Sequence, residues 1–256
     1  MNITNYYNIY RRMIATATDD IVNWWYSGWT FVQIAGQPAI PLMQVAAIMT
    51  YRCETLATDC FRIHWSEIGA FRDPSTGELP TEWINPLTGT SIKPPRSFKE
   101  GPGHTTVSAT ANGVALEIQQ PHATLRDSQV SFRTDRGRMA ISQRERKVRG
   151  FPAVDGRLPA AGSATSFESV TELSFFADLA PLQGSATAAI GVQGVYSFTL
   201  LGIAPWMGFG DLTGQTITRG RITRAAPGFT VDATSWRRLA ELFPVESSDP
   251  PAARQG

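Results

Sequence analysis

Cysteine and histidine are scarce in this chain, and long apolar runs are missing. The two cysteines, Cys53 and Cys60, stand seven apart, outside Cys-x-x-Cys spacing and too few for a disulfide framework. There are three histidines, His64, His104 and His122. With neither His-x-His nor His-x-x-x-His, they offer little from which to build a catalytic metal centre. No run is long enough for a membrane-spanning helix. The start, Met1-Asn2-Ile3-Thr4-Asn5-Tyr6-Tyr7, lacks the basic and then apolar segments of a secretion signal. These absences predict a reducing cytoplasm and no membrane partner. Charge of one sign is lacking as well: 23 basic against 22 acidic side chains create no whole-molecule field to attract nucleic acid. Gly208-Phe209-Gly210-Asp211-Leu212-Thr213-Gly214 has no Lys-Ser/Thr ending of a phosphate loop, and Gly-x-Ser-x-Gly is absent. What remains is a protein without cofactor motifs and with a small, largely uncharged partner.

What the chain does contain is rings and turns. Thirteen Phe, seven Trp and six Tyr can fill a large core or line a cavity. Two copies of one turn, Asp73-Pro74-Ser75-Thr76-Gly77 and Asn85-Pro86-Leu87-Thr88-Gly89, reverse the chain, proline presetting φ and glycine taking the positive φ. Around them strands alternate with turns. The spacing predicts an amphipathic helix over residues 5–17 and strands over 21–34, 39–51 and 60–72, the second with an Ala- and Met-rich part compatible with a helix. Asn112-Gly113 and Asp135-Arg136-Gly137 mark hairpins, the first expected as a type I′ turn. Later strands fall at 166–176, 192–203 and 216–224, with a helical turn near 177–182. Ser235 caps a short helix, Trp236 to Phe243, and residues 246–256 read as a disordered tail. So many short strands with small terminal helices predict a single mainly β domain, residues 1–245, folded as a closed or nearly closed antiparallel β-barrel.

The order of landmarks is Trp25 and Gly28, Thr76-Gly77-Glu78, Trp83-x-Asn85-Pro86-x-Thr88-Gly89, Glu172, and Pro205-Trp206-Met207-Gly208-x-Gly210-Asp211-x-x-Gly214. Over roughly residues 5–244 the chain resembles domain-of-unknown-function family 1838 of bacterial and fungal proteins. The resemblance implies shared architecture and supplies no catalytic residues.

Candidate chemistry therefore comes from the strand patterns. In 60–72, alternation places Phe61, Ile63, Trp65 and Glu67 on one face and Arg62, His64 and Ser66 on the other. If the first face is inward, Glu67 is a carboxyl among rings, where desolvation raises its pKa and suits it to proton transfer. If the second is inward, Arg62 and His64 are the polar lining. Glu67 otherwise serves as a solvated or ion-paired acid. His64 titrates near neutral pH and fits acid–base work or a structural hydrogen bond. Glu172, in an apolar strand, is a second candidate acid or a cross-strand partner for an arginine. Tyr51 completes the catalytic candidates, with Trp25, Trp29, Trp65, Tyr196, Trp206 and Arg62 as substrate-binding candidates. The basic stretch Arg133 to Arg149 carries charge on both faces and reads as a solvated ribbon.

These patterns predict a cofactor-independent lyase or isomerase that encloses a hydrophobic or aromatic small molecule. Elimination, retro-aldol deformylation of a lignin-like aromatic, and polyketide- or terpenoid-type rearrangement all fit. The alternative is a non-catalytic carrier of the same kind of ligand. Convergence of two or more titratable groups within hydrogen-bond reach inside the barrel separates the two readings. A purely structural or homo-oligomerising domain is a third reading, which predicts a filled interior.

Overall fold

The computed structural model describes residues 3–16, 21–73, 76, 80–93, 98–150, 166–183 and 190–225. The expected helix Trp236 to Phe243 and the tail 246–256 lie outside them, as does most of the first Pro-x-Thr-Gly turn. Helix α1 (Ile3–Ile14) is followed by long strands β1 (Ile21–Ile34), β2 (Ile40–Ala57) and β3 (Cys60–Arg72). A small hairpin, β4 (Trp83–Ile84) and β5 (Ser91–Ile92), precedes β6 (Phe98–Thr110), β7 (Gly113–Gln119), β8 (Ala123–Asp135) and β9 (Arg138–Gly150). The chain continues with β10 (Ser166–Asp178), α2 (Leu179–Gln183), β11 (Gln193–Leu200) and β12 (Gly214–Arg224). The second apolar run is strand throughout, because Ala47, Met49 and Tyr51 continue its inward face at period two.

Ten of these strands form one antiparallel sheet in the order β7-β6-β3-β2-β1-β12-β11-β10-β9-β8, nearly closed into a barrel. The first and last strands of that order meet at a seam. There Ser128 Oγ donates to Leu116 O at 3.4 Å, and a single bridge pairs Gln120 with Ala123. The type I′ geometry expected at Asn112-Gly113 occurs at the next hairpin instead, where Arg136 and Gly137 both have positive φ, 45° and 77°. Gly113 opens its strand and lies under the Phe132 ring, 3.1 Å from where a Cβ would stand. Close packing across the seam accounts for that glycine.

One barrel end is filled by α1. Tyr7, Ile9, Tyr10, Met13 and Ile14 are buried, the i, i+3, i+4 spacing of a helix that inserts one face into a core. Its carbonyl end is tied down: Arg224 Nη1 donates to Arg12 O at 2.7 Å, and Trp24 Nε1 donates to Ile14 O at 3.3 Å. Trp24 then packs against Phe175, ring centroids 5.2 Å apart.

The other end is closed by the second Pro-x-Thr-Gly turn, which docks on the Pro205–Met207 3₁₀ turn. Asn85, fully buried, accepts from Leu87 N at 2.8 Å and Thr88 N at 3.1 Å, and its Nδ2 donates to Met207 O at 2.8 Å. Thr88 Oγ1 donates to Gly208 O at 3.0 Å. Two sequence landmarks distant along the chain thus build one lid over Val32, Leu42, Trp83 and Leu200. Asn85→Ala strands two amides and a carbonyl, and is expected to lower unfolding free energy by about 2–3 kcal/mol. The check is a lower midpoint at unchanged slope in urea unfolding.

Candidate active site

Between the two plugs the barrel wall alternates except at bulges, and the parity of each strand selects what the interior contains. Strand β1 turns Val22, Trp24 and Tyr26 inward, the first two being buried. Trp25 and Trp29 consequently face outward, Trp29 with 36% exposure. Strand β3 turns Phe61, Ile63, Trp65 and Glu67 inward, with Phe61 and Ile63 buried and His64 exposed. Strand β2 contributes Met49 and Tyr51, and β11 contributes Tyr196 and Phe198. The lining is densest next to α1. Farther along, Tyr26, Tyr51, Trp65, Glu67 and Phe198 keep partial solvent accessibility although they point inward, so the inner face is less tightly filled there.

Glu67 is the centre of this region. The Tyr26 hydroxyl donates to its Oε1, reaching two strands across the inner face. Ala47, the cross-strand partner of Tyr26, is small enough to let the ring lean over β2 toward β3. The backbone of β6 supplies a second carboxylate. Gly101 and Pro102 together stand opposite Ser66, because the β3/β6 register shifts between Trp65 and Glu67. Such a bulge inserts one residue and inverts the parity beyond it. Gly103 and Glu100 therefore both point inward, and Glu100 pairs directly with Glu67. Gly101 has φ +91°, and a Cβ there would lie 2.9 Å from Trp65 O, so the bulge requires glycine.

Strand β9 supplies the opposite wall. Continuing the inward face of Met139 and Ile141, Gln143, Glu145 and Lys147 are all buried. This corrects the solvated-ribbon reading of residues 133–149, which holds only for the outward half. Tyr10 donates to Gln143 Oε1 at 2.8 Å, Gln143 Nε2 donates to Glu145 at 2.5 Å, and Lys147 Nζ lies 2.5 Å from Glu145 Oε2 and 2.8 Å from Gln120 Oε1. Arg149 Nη1 bonds Glu100 Oε1 at 2.6 Å, and its guanidinium lies over the Phe198 ring, 4.9 Å from the centroid. A polar wall and an aromatic wall share one chamber.

Electrostatics follow from this placement. Burial, and then the nearby Glu100 charge, push the Glu67 carboxyl up to about 8; the Tyr26 hydrogen bond, Arg149 and Lys147 oppose them without winning. The Tyr26 phenol is held well above its ordinary value, first by burial and then by Glu67. Burial likewise raises Tyr51, whose hydroxyl donates to the Met49 sulfur at 3.6 Å. Tyr196 is raised by burial and by Glu67, and its hydroxyl is buried with no hydrogen-bond partner among the described residues. Its ring meets that of Tyr26 at 4.8 Å.

Of the candidates read from sequence, Glu67, Tyr51, Trp65 and Tyr196 come together in the chamber. The others do not. His64 is exposed on the outer face, 2.9 Å from Glu54 Oε2 and cross-strand from His104. Arg62 shares that face, 3.9 Å from the same Glu54 oxygen. Glu172 is exposed and pairs with Arg144 across the sheet at 3.8 Å, the arginine-partner alternative. Trp25 and Trp29 face outward. Trp206 packs on Phe71 at 5.2 Å within the lid cluster, at the end remote from α1. Tyr26, Glu100, Glu145, Lys147 and Arg149 were not singled out from sequence. The period-two continuation of Val22–Trp24 and of Met139–Ile141 points to all but Glu100.

A separate cavity of about 620 Å³ lies beside α1, lined by Tyr7, Ala57, Thr58, Asp59, Ala109, Thr110 and Ala111. Its lining brings no pair of acids and bases together. Among the described residues there is no cluster of three or more metal-ligating side chains, and no helix is long and apolar enough to cross a membrane. No protein-family model matches the chain, and no curated protein matches it.

Proposed function

We propose that the barrel is a cofactor-independent lyase or isomerase that encloses a hydrophobic or aromatic small molecule and moves a proton through Glu67. The observation that supports this reading is the Tyr26–Glu67 hydrogen bond inside the chamber, with the carboxyl pKa raised to about 8. A carboxyl in that range exchanges protons readily near neutral pH. The ionised form takes a proton from a carbon acid beside a carbonyl. The C–H bond breaks, an O–H bond forms on Glu67, and the electron pair moves onto the substrate oxygen. Return of the proton to another carbon completes an isomerisation; expulsion of a β-leaving group completes an elimination. Trp65, Tyr51 and Phe198 offer the faces that hold a flat apolar substrate.

A carrier of the same ligand needs rings and aliphatic groups only. Buried titratable groups in mutual contact cost stability, and their convergence favours catalysis. The test is proton exchange: the full chain is incubated in D₂O with a panel of enolisable aromatic ketones, β-hydroxy carbonyls and enones, and deuterium uptake is followed by NMR. Exchange by the wild type and its loss in Glu67→Gln is the expected result. Absence of exchange and turnover across the panel in the wild type favours the carrier, and equal rates in the variant exclude Glu67.

A further inference from the structure

Tyr196 is 8% exposed, and its hydroxyl has no hydrogen-bond partner among the described residues. A hydroxyl buried without a partner costs stability, and one beside the chamber is matched to an acceptor that arrives later. Its surroundings define that group. On the inner face Tyr196 stands in register with Gly220, which in turn opposes Gly28. A Cβ on either glycine would come within 2.0 Å of the neighbouring strand's carbonyl oxygen. The wall beside the Tyr196 ring is therefore backbone without side chains, the two strands approaching too closely there for any residue but glycine. Tyr26, against whose ring Tyr196 packs, already donates its hydrogen bond to Glu67, and the Tyr196 hydroxyl is the donor left uncommitted among the described residues beside it.

Charge balance sets the sign of the ligand. Glu100 is matched by Arg149 and Glu145 by Lys147. When Glu67 carries its proton, these groups sum to zero, and a single negative charge on a ligand oxygen meets no uncompensated anion. When Glu67 is ionised, that charge is already present. The chamber thus holds one negative charge, on Glu67 or on the ligand.

Resting on the proton-transfer reading above, we propose that Tyr196 is the donor to the substrate oxygen, and that the substrates are aromatic or conjugated carbonyl compounds whose oxygen becomes an enolate or phenolate as Glu67 takes the proton. A preorganised donor aimed at developing charge, in a site with little water, stabilises that oxygen more than water does.

The probe is 4-nitrophenol, whose absorption distinguishes phenol from phenolate, titrated into the full chain at a pH well below the Glu67 midpoint. The wild type is expected to bind it as the phenolate. Tyr196→Phe, which removes one oxygen and keeps the ring, is expected to weaken phenolate binding about tenfold or more, a hydrogen bond to a charged group contributing about 1.5–3 kcal/mol. Tyr7→Phe, on α1, leaves binding unchanged. A second measurement needs no variant: phenolate affinity of the wild type falls as pH rises through the Glu67 midpoint near 8, where Glu67, faced by Tyr26, Tyr51, Glu100, Lys147, Arg149 and Tyr196, becomes ionised. No binding, binding as neutral phenol, equal affinity in Tyr196→Phe, or an affinity flat across that pH range each overturn the proposal. The two readings fail separately. Phenolate capture without proton exchange removes the catalytic step and leaves the subsite, whereas exchange indifferent to Tyr196 removes the subsite alone.

Discussion

Lys147→Met is expected to destabilise the protein by about 3–5 kcal/mol, the cost of leaving one partner of a buried ion pair uncompensated. Lys147 and Glu145 are 7% and 8% exposed and 2.5 Å apart. Without the ammonium, Glu145 keeps the Gln143 amide as its one side-chain partner among the described residues. It is then a buried carboxylate that has lost its counter-charge. Chemical unfolding at neutral pH gives the magnitude. The double replacement Glu145→Leu/Lys147→Met separates the penalty for the orphaned charge from the worth of the pair. It is expected to recover most of the loss, since buried pairs replaced by apolar groups are often neutral in stability. Lys147 also holds the Glu67 pKa down, so the single variant raises the Glu67 midpoint further. A purely structural lysine on a solvated ribbon would show neither effect.

Glu67→Gln is expected to lower the proton-exchange rate by about 10²–10⁴-fold, the usual contribution of a positioned acid–base group. It is also expected to change the pH dependence of stability, and the sign can be worked out. The folded carboxyl titrates at about 8, above its ordinary value of 4.5. Between those values the folded state holds a proton that the unfolded state has released, so stability is full below the unfolded pKa and falls as pH rises toward the folded one. The fall is on the order of a few kcal/mol. Glutamine, which has no proton to lose, flattens this slope while keeping an acceptor for the Tyr26 hydroxyl. Unfolding free energies of wild type and variant at mildly acid and mildly alkaline pH therefore diverge, whether or not a substrate is in hand.

The strands were legible because turns and alternation are local properties. Cys60 to Arg72 is strand β3 in the structure, bounded by the features that bound it in sequence. Which face of it points inward was not legible from β3 alone, since Trp65 and Glu67 on one side compete with Arg62 and His64 on the other. Neighbouring strands decide it: buried Ile63 and Phe61 match Cys53 on β2 and Val107 on β6. The N-terminal strand misled for a related reason. Trp24 and Trp25 are adjacent and equally apolar, and it is Val22, Val32 and Ile34, at even spacing from Trp24, that mark the buried face.

Charged residues in β9 were harder to place. Glu145, Lys147 and Arg149 read as solvent-facing until Glu100 and Gln120 are brought opposite them by the closing sheet, a tertiary event that composition does not register. Glu100 is the extreme case: simple alternation from Gly103 sends it outward, and the bulge at Gly101 turns it in. Gly101-Pro102-Gly103 is the local trace of that bulge. The Pro-x-Thr-Gly turn was recognised as a reversal, but its role as half of a lid appears only when Asn85 meets Met207.

The central claim is that an inward carboxyl, Glu67, carries its proton at neutral pH and can exchange it within the chamber. Isotope-edited infrared titration of the glutamate carboxyls, taken as a difference between wild type and Glu67→Gln, measures this directly. The account predicts one protonated carboxyl band, absent from the variant, that disappears with a midpoint near 8. A difference spectrum in which that carboxyl ionises in the ordinary glutamate range of about 4–5 would contradict it.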